Sequence, residues 1–179
     1  QGKAGKNQVT LNWLKAKDAD GYDVYWSYCD GGKNYKKLAT VKNGKLTAAQ
    51  KKLTNGKEYK YFVAAYKMVD GKKVYTAKSN VLHVATLDSK QTNAKSISVN
   101  KTNVVLNKNK TFTIKAQTKL ENSKKAQLQH AAECRYYTSN AKVAKVSSDG
   151  VITAKGAGSC TVYVLANNGA YKKIKVTVK

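Results

Sequence analysis

Cysteine, histidine and a glycine-rich run are the parts of this sequence whose side chains or backbone could do chemistry. The stretch "SSDGVITAKGAGSCTV" (147–162) places Gly150, Gly156 and Gly158 close together and follows them with a Ser-Cys pair. Two chemistries are conceivable there, a phosphate cradle and an activated thiol. A phosphate-binding loop needs two glycines with four residues between them, then Lys-Ser/Thr, then a helix whose N-terminus meets the anion. Here five residues separate Gly150 from Gly156, and the run enters the β-branched stretch "CTVYVL". No helix start is available, so the glycines read as turn residues. Asp149-Gly150 suits a hairpin turn, and Gly156 and Gly158 suit tight backbone before the next strand.

The thiols are Cys29, Cys134 and Cys160. No Cys-x-x-Cys occurs, and the histidines, His83 and His130, lie far apart, so no zinc spacing is present. Cys160 as a nucleophile would need a base and an orienting group. Only His83 and His130 could serve, and neither sits in a recognisable thiol-protease context. Cys29, in the turn-like "SYCDGGKN", reads best as a half-buried spectator; a free exposed thiol and an intermolecular link are the alternatives. The carboxylates Asp18, Asp20, Asp30, Asp70 and Asp149 are scattered among turns. They suggest neither an acid–base pair nor a calcium cage. The expectation is a non-catalytic chain with no metal and no cofactor.

Charge bounds the partners. Lys plus Arg number 34 against 10 Asp plus Glu, a net charge of +24, and Arg135 is the single arginine. Lysine is a mobile, hydrated point charge, whereas bidentate reading of phosphates and bases falls to arginine. Specific nucleic-acid recognition is therefore not expected. Non-specific attraction to polyanions is, although a merely soluble lysine-coated surface accounts for the charge as well. No apolar run reaches the ~18 residues of a membrane span. The chain shows neither a leader nor an initiating Met, and we read it as a monomeric fragment or mature form of a larger protein.

The elements that must position these residues are strands. "VTLNW" (9–13), "GYDVYWS" (21–27) and "EYKYFVAAY" (58–66) alternate with period two. Turn signals at "DADG", "DGGKN", "TNGK" and "VDGKK" divide them. The alternation fades in the polar stretch 87–96 and restarts at Ile97, ending in a hairpin whose Asn168-Gly169 suits a type I′ turn. This predicts an all-β chain of two tandem immunoglobulin-like antiparallel sandwiches, residues 1–89 and 90–179. The polar stretch 119–135 reads as a loop or insertion.

The first half, over about residues 8–87, resembles a fibronectin type III domain. The resemblance is carried by Trp13, the "ADGYDVYWS" strand, the Leu53-x-x-Gly56-x-x-Tyr59 spacing and "KSNVLHVAT". It implies a tyrosine corner in which the Tyr59 hydroxyl returns to nearby backbone. The second half, over about 95–179, resembles a bacterial immunoglobulin-like domain of group 2. There the carriers are "SISVNKTNVVLNKNKTFTIKA", Ser139-Asn140, Val143-Ala144-x-Val146, Asp149-Gly150-x-Ile152 and Gly156-x-Gly158-x-x-x-Val162. Together the two resemblances imply an extracellular protein, secreted or on the surface of a Gram-positive bacterium. Alternation turns Cys134 and Cys160 inward, onto strands expected to pack in such a fold. A Cys134–Cys160 disulfide is then expected, worth roughly 3 kcal/mol, with two buried free thiols as the alternative.

Binding, if any, falls to outward aromatics. In the first half Tyr25, Phe62 and Tyr66 take the solvent phase, with Trp26 near a strand end and Tyr28 in the turn. In the second half Arg135, Tyr137, Tyr163, Tyr171 and Lys173 fall outward on three strands. The alternative for both groups is cross-strand pairing or contact with the other half. The chemistry suits adhesion to a host protein or glycoprotein, immunoglobulin included. An anchor on anionic cell-wall or mucin polymer fits too, as does a passive spacer in a larger protein.

Overall fold

The computed structural model describes residues 1–128 and 133–179. All regular elements among them are strands. In chain order these are β1 (Gly2–Gly5), β2 (Gln8–Asn12), β3 (Gly21–Tyr28), β4 (Lys36–Lys42), β5 (Thr47–Lys51), β6 (Glu58–Val69), β7 (Lys72–Lys78), β8 (Leu82–Ala85) and β9 (Gln91–Thr92). Then follow β10 (Ala94–Val99), β11 (Asn103–Leu106), β12 (Thr111–Thr113), β13 (Ala116–Leu120), β14 (Ala126–Gln127), β15 (Arg135–Thr138), β16 (Ala144–Val146), β17 (Val151–Ala154), β18 (Gly158–Leu165) and β19 (Tyr171–Val178). The chain divides into two compact units: residues 1–93 with 124–130, and residues 94–123 with 131–179. The polar stretch expected as a loop therefore contributes to both, and β14 pairs parallel with β9 in the first unit.

The first unit is a sandwich of a β1-β2-β5 sheet and a β4-β3-β6-β7 sheet, with β8 added to the start of β6. The alternation seen in the sequence is realised as burial. Val9 and Leu11 of β2, Tyr22 and Val24 of β3, and Tyr59, Tyr61, Val63 and Ala65 of β6 form its core with Leu53 and Val84. The tyrosine corner forms as the resemblance implies. The Tyr59 hydroxyl accepts from the Thr54 amide at 3.2 Å and reaches back to the Thr54 carbonyl. Between them Gly56 takes φ +77°, a left-handed conformation that costs glycine little.

In the second unit, β11-β19-β18-β15 form one sheet, β12-β17-β16 another, and β10-β13 a two-stranded pair. Ile152, Val162, Val164, Ile174 and Val176 are the centre of its core. The glycine run does what turns require. Gly150 closes the β16–β17 hairpin with φ +78°, donating to the Ser147 carbonyl at 3.1 Å, and Gly158 enters β18 at φ +132°.

One turn differs from expectation. At the β18–β19 hairpin only Gly169 is left-handed, at φ +77°. Gly169 donates to the Ala166 carbonyl and Ala166 to the Ala170 carbonyl, a type I turn closed by a glycine bulge. The reason is tertiary: Asn168 is buried and its amide donates to the Ala94 carbonyl at 2.9 Å.

Candidate binding faces

All three cysteines are free thiols, so the expected Cys134–Cys160 bridge is absent. Both residues do touch the core of the second unit, but alternation says nothing about position along a strand. β15 and β18 are neighbours in one sheet, with Arg135 paired to Leu165 and Thr138 to Val162. Cys134 thus lies level with the residue after Leu165, six positions from Cys160. At a strand's rise that is about 20 Å, far beyond the roughly 6 Å between Cα atoms that a disulfide tolerates. Burial pushes the Cys134 thiol up to about 11. Cys160 is buried and its sulfur lies 3.8 Å from the Thr138 hydroxyl.

Among the described residues, Cys29 Sγ approaches His83 Nδ1 at 3.4 Å. Burial raises the Cys29 thiol to about 12, although Lys60 pulls the other way. A thiol held protonated is the opposite of an activated nucleophile. His130 lies outside the described residues. Among the described residues, no three His, Cys, Asp or Glu side chains gather as a metal site would need.

The outer face of the first unit is organised around a carboxylate that sequence reasoning passed over. Asp23 is fully buried, although it lies on the outward phase of β3. Lys73 donates to it at 2.8 Å, Thr40 at 2.6 Å and Tyr75 at 2.7 Å, and Lys37 lies 3.1 Å away. Burial alone would raise this carboxyl's pKa. The bonds from Lys73, Thr40, Tyr75 and Lys37 outweigh it and hold the group well below the usual carboxylate range. Tyr75 spends its proton on Asp23, so the Tyr25 hydroxyl, 3.1 Å away, donates to Tyr75.

The aromatics predicted on this face are consumed by one another. Tyr25 pairs with Phe62 across the strands and stacks on it, ring centroids 4.8 Å apart and 14° from parallel. Tyr35 meets Phe62 edge-on, and Lys78 lies 3.9 Å over its ring. Tyr66, expected at the solvent face, is only 7% exposed. It pairs with Gly21 and covers it; a Cβ at Gly21 would sit 2.4 Å from the Tyr66 hydroxyl. Lys73 caps the ring at 4.2 Å. Trp26 and Tyr28 turn toward Tyr59, at 5.9 and 5.1 Å, and Trp26 belongs to the edge of the core.

The second unit presents a different face. Tyr137, Tyr163 and Lys173 lie in one cross-strand row over β15, β18 and β19. Tyr171 pairs with Leu165 one step along. The rings run Tyr137–Tyr163–Tyr171, with centroids 6.2 and 6.1 Å apart. Tyr137 is 57% exposed and Tyr171 45%. Lys173 stands 5.8 Å from both the Tyr163 and Tyr171 rings. Arg135 is half-buried, and burial lowers its pKa. Beside the tyrosines is a shallow hollow lined by Thr102, Ser139, Ser159, Thr161, Lys173 and Lys175. Spacing in the sequence predicts the shared phase of the tyrosines. The hydroxyl-lined hollow depends on strand register, which carries no local signal.

Comparison with known proteins places this architecture. Residues 93–178 match the family Big_2, bacterial Ig-like domain (group 2). The second unit thus matches a bacterial Ig-like domain of that group, and the first carries the tyrosine corner that its resemblance to a fibronectin type III domain implies. Over 100 residues it is 28% identical to the uncharacterized protein YjdB of Bacillus subtilis (strain 168), covering 56% of this chain and 82% of that protein. Among solved structures, a beta-1,2-glucanase from Parabacteroides distasonis is similar at 22% identity and TM-score 0.41, over 49% of this chain and 12% of the glucanase. The fibronectin(III)-like modules of Clostridium thermocellum CbhA are similar at 17% identity and TM-score 0.35, over 98% of this chain and 87% of theirs. Among the described residues, no helix is long and apolar enough to cross a membrane.

Proposed function

We propose that this chain is a non-catalytic binding module of a bacterial surface or secreted protein, and that its second unit makes the contact. The domains are read as residues 1–89 and 90–179. The observation that carries the proposal is the contrast between the two faces. On the first unit Tyr25, Phe62 and Tyr66 are stacked, capped or buried against their own domain, and only Tyr28 of the predicted aromatics there stays open, at 43%, in ring contact with the buried Tyr59. On the second, Tyr137 and Tyr171 remain open around Tyr163, with Lys173 between the rings. Exposed aromatics beside a mobile cation suit adhesion to a host protein or glycoprotein, immunoglobulin included. The first unit then serves as a rigid support.

A second reading, an anchor on anionic cell-wall or mucin polymer, is favoured by the net charge of +24. The two separate by salt. Adhesion through rings survives high salt, whereas an anchor of scattered lysines loses most of its affinity. The test is a pull-down from host secretions and from purified cell wall, at low and high salt, with the wild type and a Tyr137→Ser/Tyr163→Ser/Tyr171→Ser variant. Capture that persists in salt and vanishes in the variant supports adhesion. Equal capture by both proteins, lost in salt, supports the anchor. No capture by either makes the chain a spacer.

A further inference from the structure

Resting on the reading of the second unit as the binding unit, we infer that its outer β11-β19-β18-β15 face is a subsite for a glycan chain bearing carboxylates, as in a polyuronate. Four features of the face specify that chemistry. Its outward phase carries Lys173 and Lys175, with the half-buried Arg135 at its edge, and its strands hold no Asp or Glu, so the charge is complementary to an acidic polymer. Three tyrosine rings about 6 Å apart cross the sheet, offering apolar faces to sugar C–H groups and hydroxyls at their tips. The adjoining hollow supplies hydroxyls from Thr102, Ser139, Ser159 and Thr161, which both donate to and accept from sugar hydroxyls. Lys173 joins the halves: it lines the hollow and stands 5.8 Å from the Tyr163 and Tyr171 rings.

The same inventory disfavours other occupants. Phosphate and sulfate are held best by guanidinium forks, helix N-termini or nests of backbone amides. In the middle of this sheet the backbone is spent on strand pairing, and lone ammonium groups remain, spaced along β19 at Lys173 and Lys175. A carboxylate on each of several sugar rings fits that spacing. On a glycoprotein partner this open, hydroxyl-bearing surface would meet the glycan, since a polypeptide is anchored by side chains entering well-packed apolar pockets.

The experiment measures binding of the whole 179-residue chain to three probes by titration calorimetry. The probes are a glucuronate-containing polysaccharide, the same polymer with its carboxyls reduced to alcohols, and poly-L-glutamate. Variants are Tyr163→Ala/Tyr171→Ala and Lys173→Glu, each checked for folding by circular dichroism. Lys36→Glu, on the first unit, is the charge control. Tyr171→Phe, which keeps the ring, is a second check on packing. The expectation is binding of the polyuronate that weakens about tenfold on carboxyl reduction, and equally in the tyrosine double variant and in Lys173→Glu. Lys36→Glu should bind as wild type does, and Tyr171→Phe, which lacks only the hydroxyl, should lose less than the tyrosine double variant. If poly-L-glutamate binds as tightly as the polyuronate and the tyrosine variant is unimpaired, charge alone is at work and the inference is overturned. If the polyuronate does not bind while a deglycosylated host protein does so through the tyrosines, the glycan inference fails and the binding-module reading stands. If no probe and no host fraction binds, both fall.

Discussion

Tyr75 of β7 reaches across β6 to donate its hydroxyl to Asp23 of β3 at 2.7 Å. The carboxylate it meets is completely shielded from solvent while also holding Lys73 and Lys37. An acidic residue on the outward phase of a strand has thereby become the interior of a polar cluster, roofed by the side chains it binds. That cluster stiffens the sheet face which a simple alternation rule would leave open to partners.

The cluster makes stability depend on acid. The Asp23 carboxyl titrates well below its unfolded value, so its contribution is fully present above about pH 4 and is lost as pH falls toward the folded-state value. Asp23→Asn removes the ion pairs and should cost about 2–3 kcal/mol at neutral pH. In urea titrations the gap between wild type and variant should narrow steadily below pH 4. A gap that stays constant down to pH 2 would contradict this account.

The tyrosine corner should be worth the hydroxyl's bonds and little else. Tyr59→Phe keeps the ring, which is buried against Trp26 and Tyr28, and deletes the contacts to Thr54. We expect a loss of about 1–1.5 kcal/mol, read from the urea midpoint with an unchanged slope.

The three thiols should all be free. Alkylation in urea without prior reduction, read by intact mass, should add three labels. In the folded protein at pH 8 Cys29 should react slowly, because its thiol titrates near 12. One label in urea, with two thiols missing, would mean that a disulfide forms after all.

Gly150 should tolerate no side chain. It combines φ +78° with a Tyr136 ring 2.8 Å from the place a Cβ would take. Gly150→Ala should destabilise by about 1–3 kcal/mol, seen as a lower thermal midpoint. A midpoint within error of wild type would show that neither strain nor crowding acts there.

The two aromatic faces should respond oppositely. Tyr25→Ala breaks the stack on Phe62 and the bond to Tyr75, costing about 1–2 kcal/mol of stability. Tyr171→Ala touches an exposed ring and should stay within about 0.5 kcal/mol. Equal losses in urea denaturation would remove the distinction on which the binding face rests.

Much of this architecture was legible in the order of residues. Alternation in residues 21–27 and 58–66 located β3 and β6 and assigned Tyr22, Tyr59 and Tyr61 to the core. The resemblance that the Leu53-Gly56-Tyr59 spacing carries implied the corner, whose partners Thr54 and Tyr59 lie five residues apart. Asp149-Gly150 announced a tight turn. These are short-range relations, decided by which way successive side chains point and which residues accept a left-handed backbone.

What needed the tertiary structure is every relation set by register between distant strands. Alternation turned Cys134 and Cys160 inward but could not show that they lie at opposite ends of one strand pair. It assigned Tyr66 outward, yet its cross-strand partner is Gly21, whose missing side chain lets the ring lie down and be buried. Asn168 suited one kind of turn until the Ala94 carbonyl claimed its amide. Asp23 was one polar residue in an alternating strand until β4 and β7 brought Thr40, Lys37, Lys73 and Tyr75 around it. Local sequence determines a strand's faces, because side-chain direction repeats every two residues. Which residue sits opposite which is decided only when the sheet forms, because strand pairing depends on residues tens of positions apart.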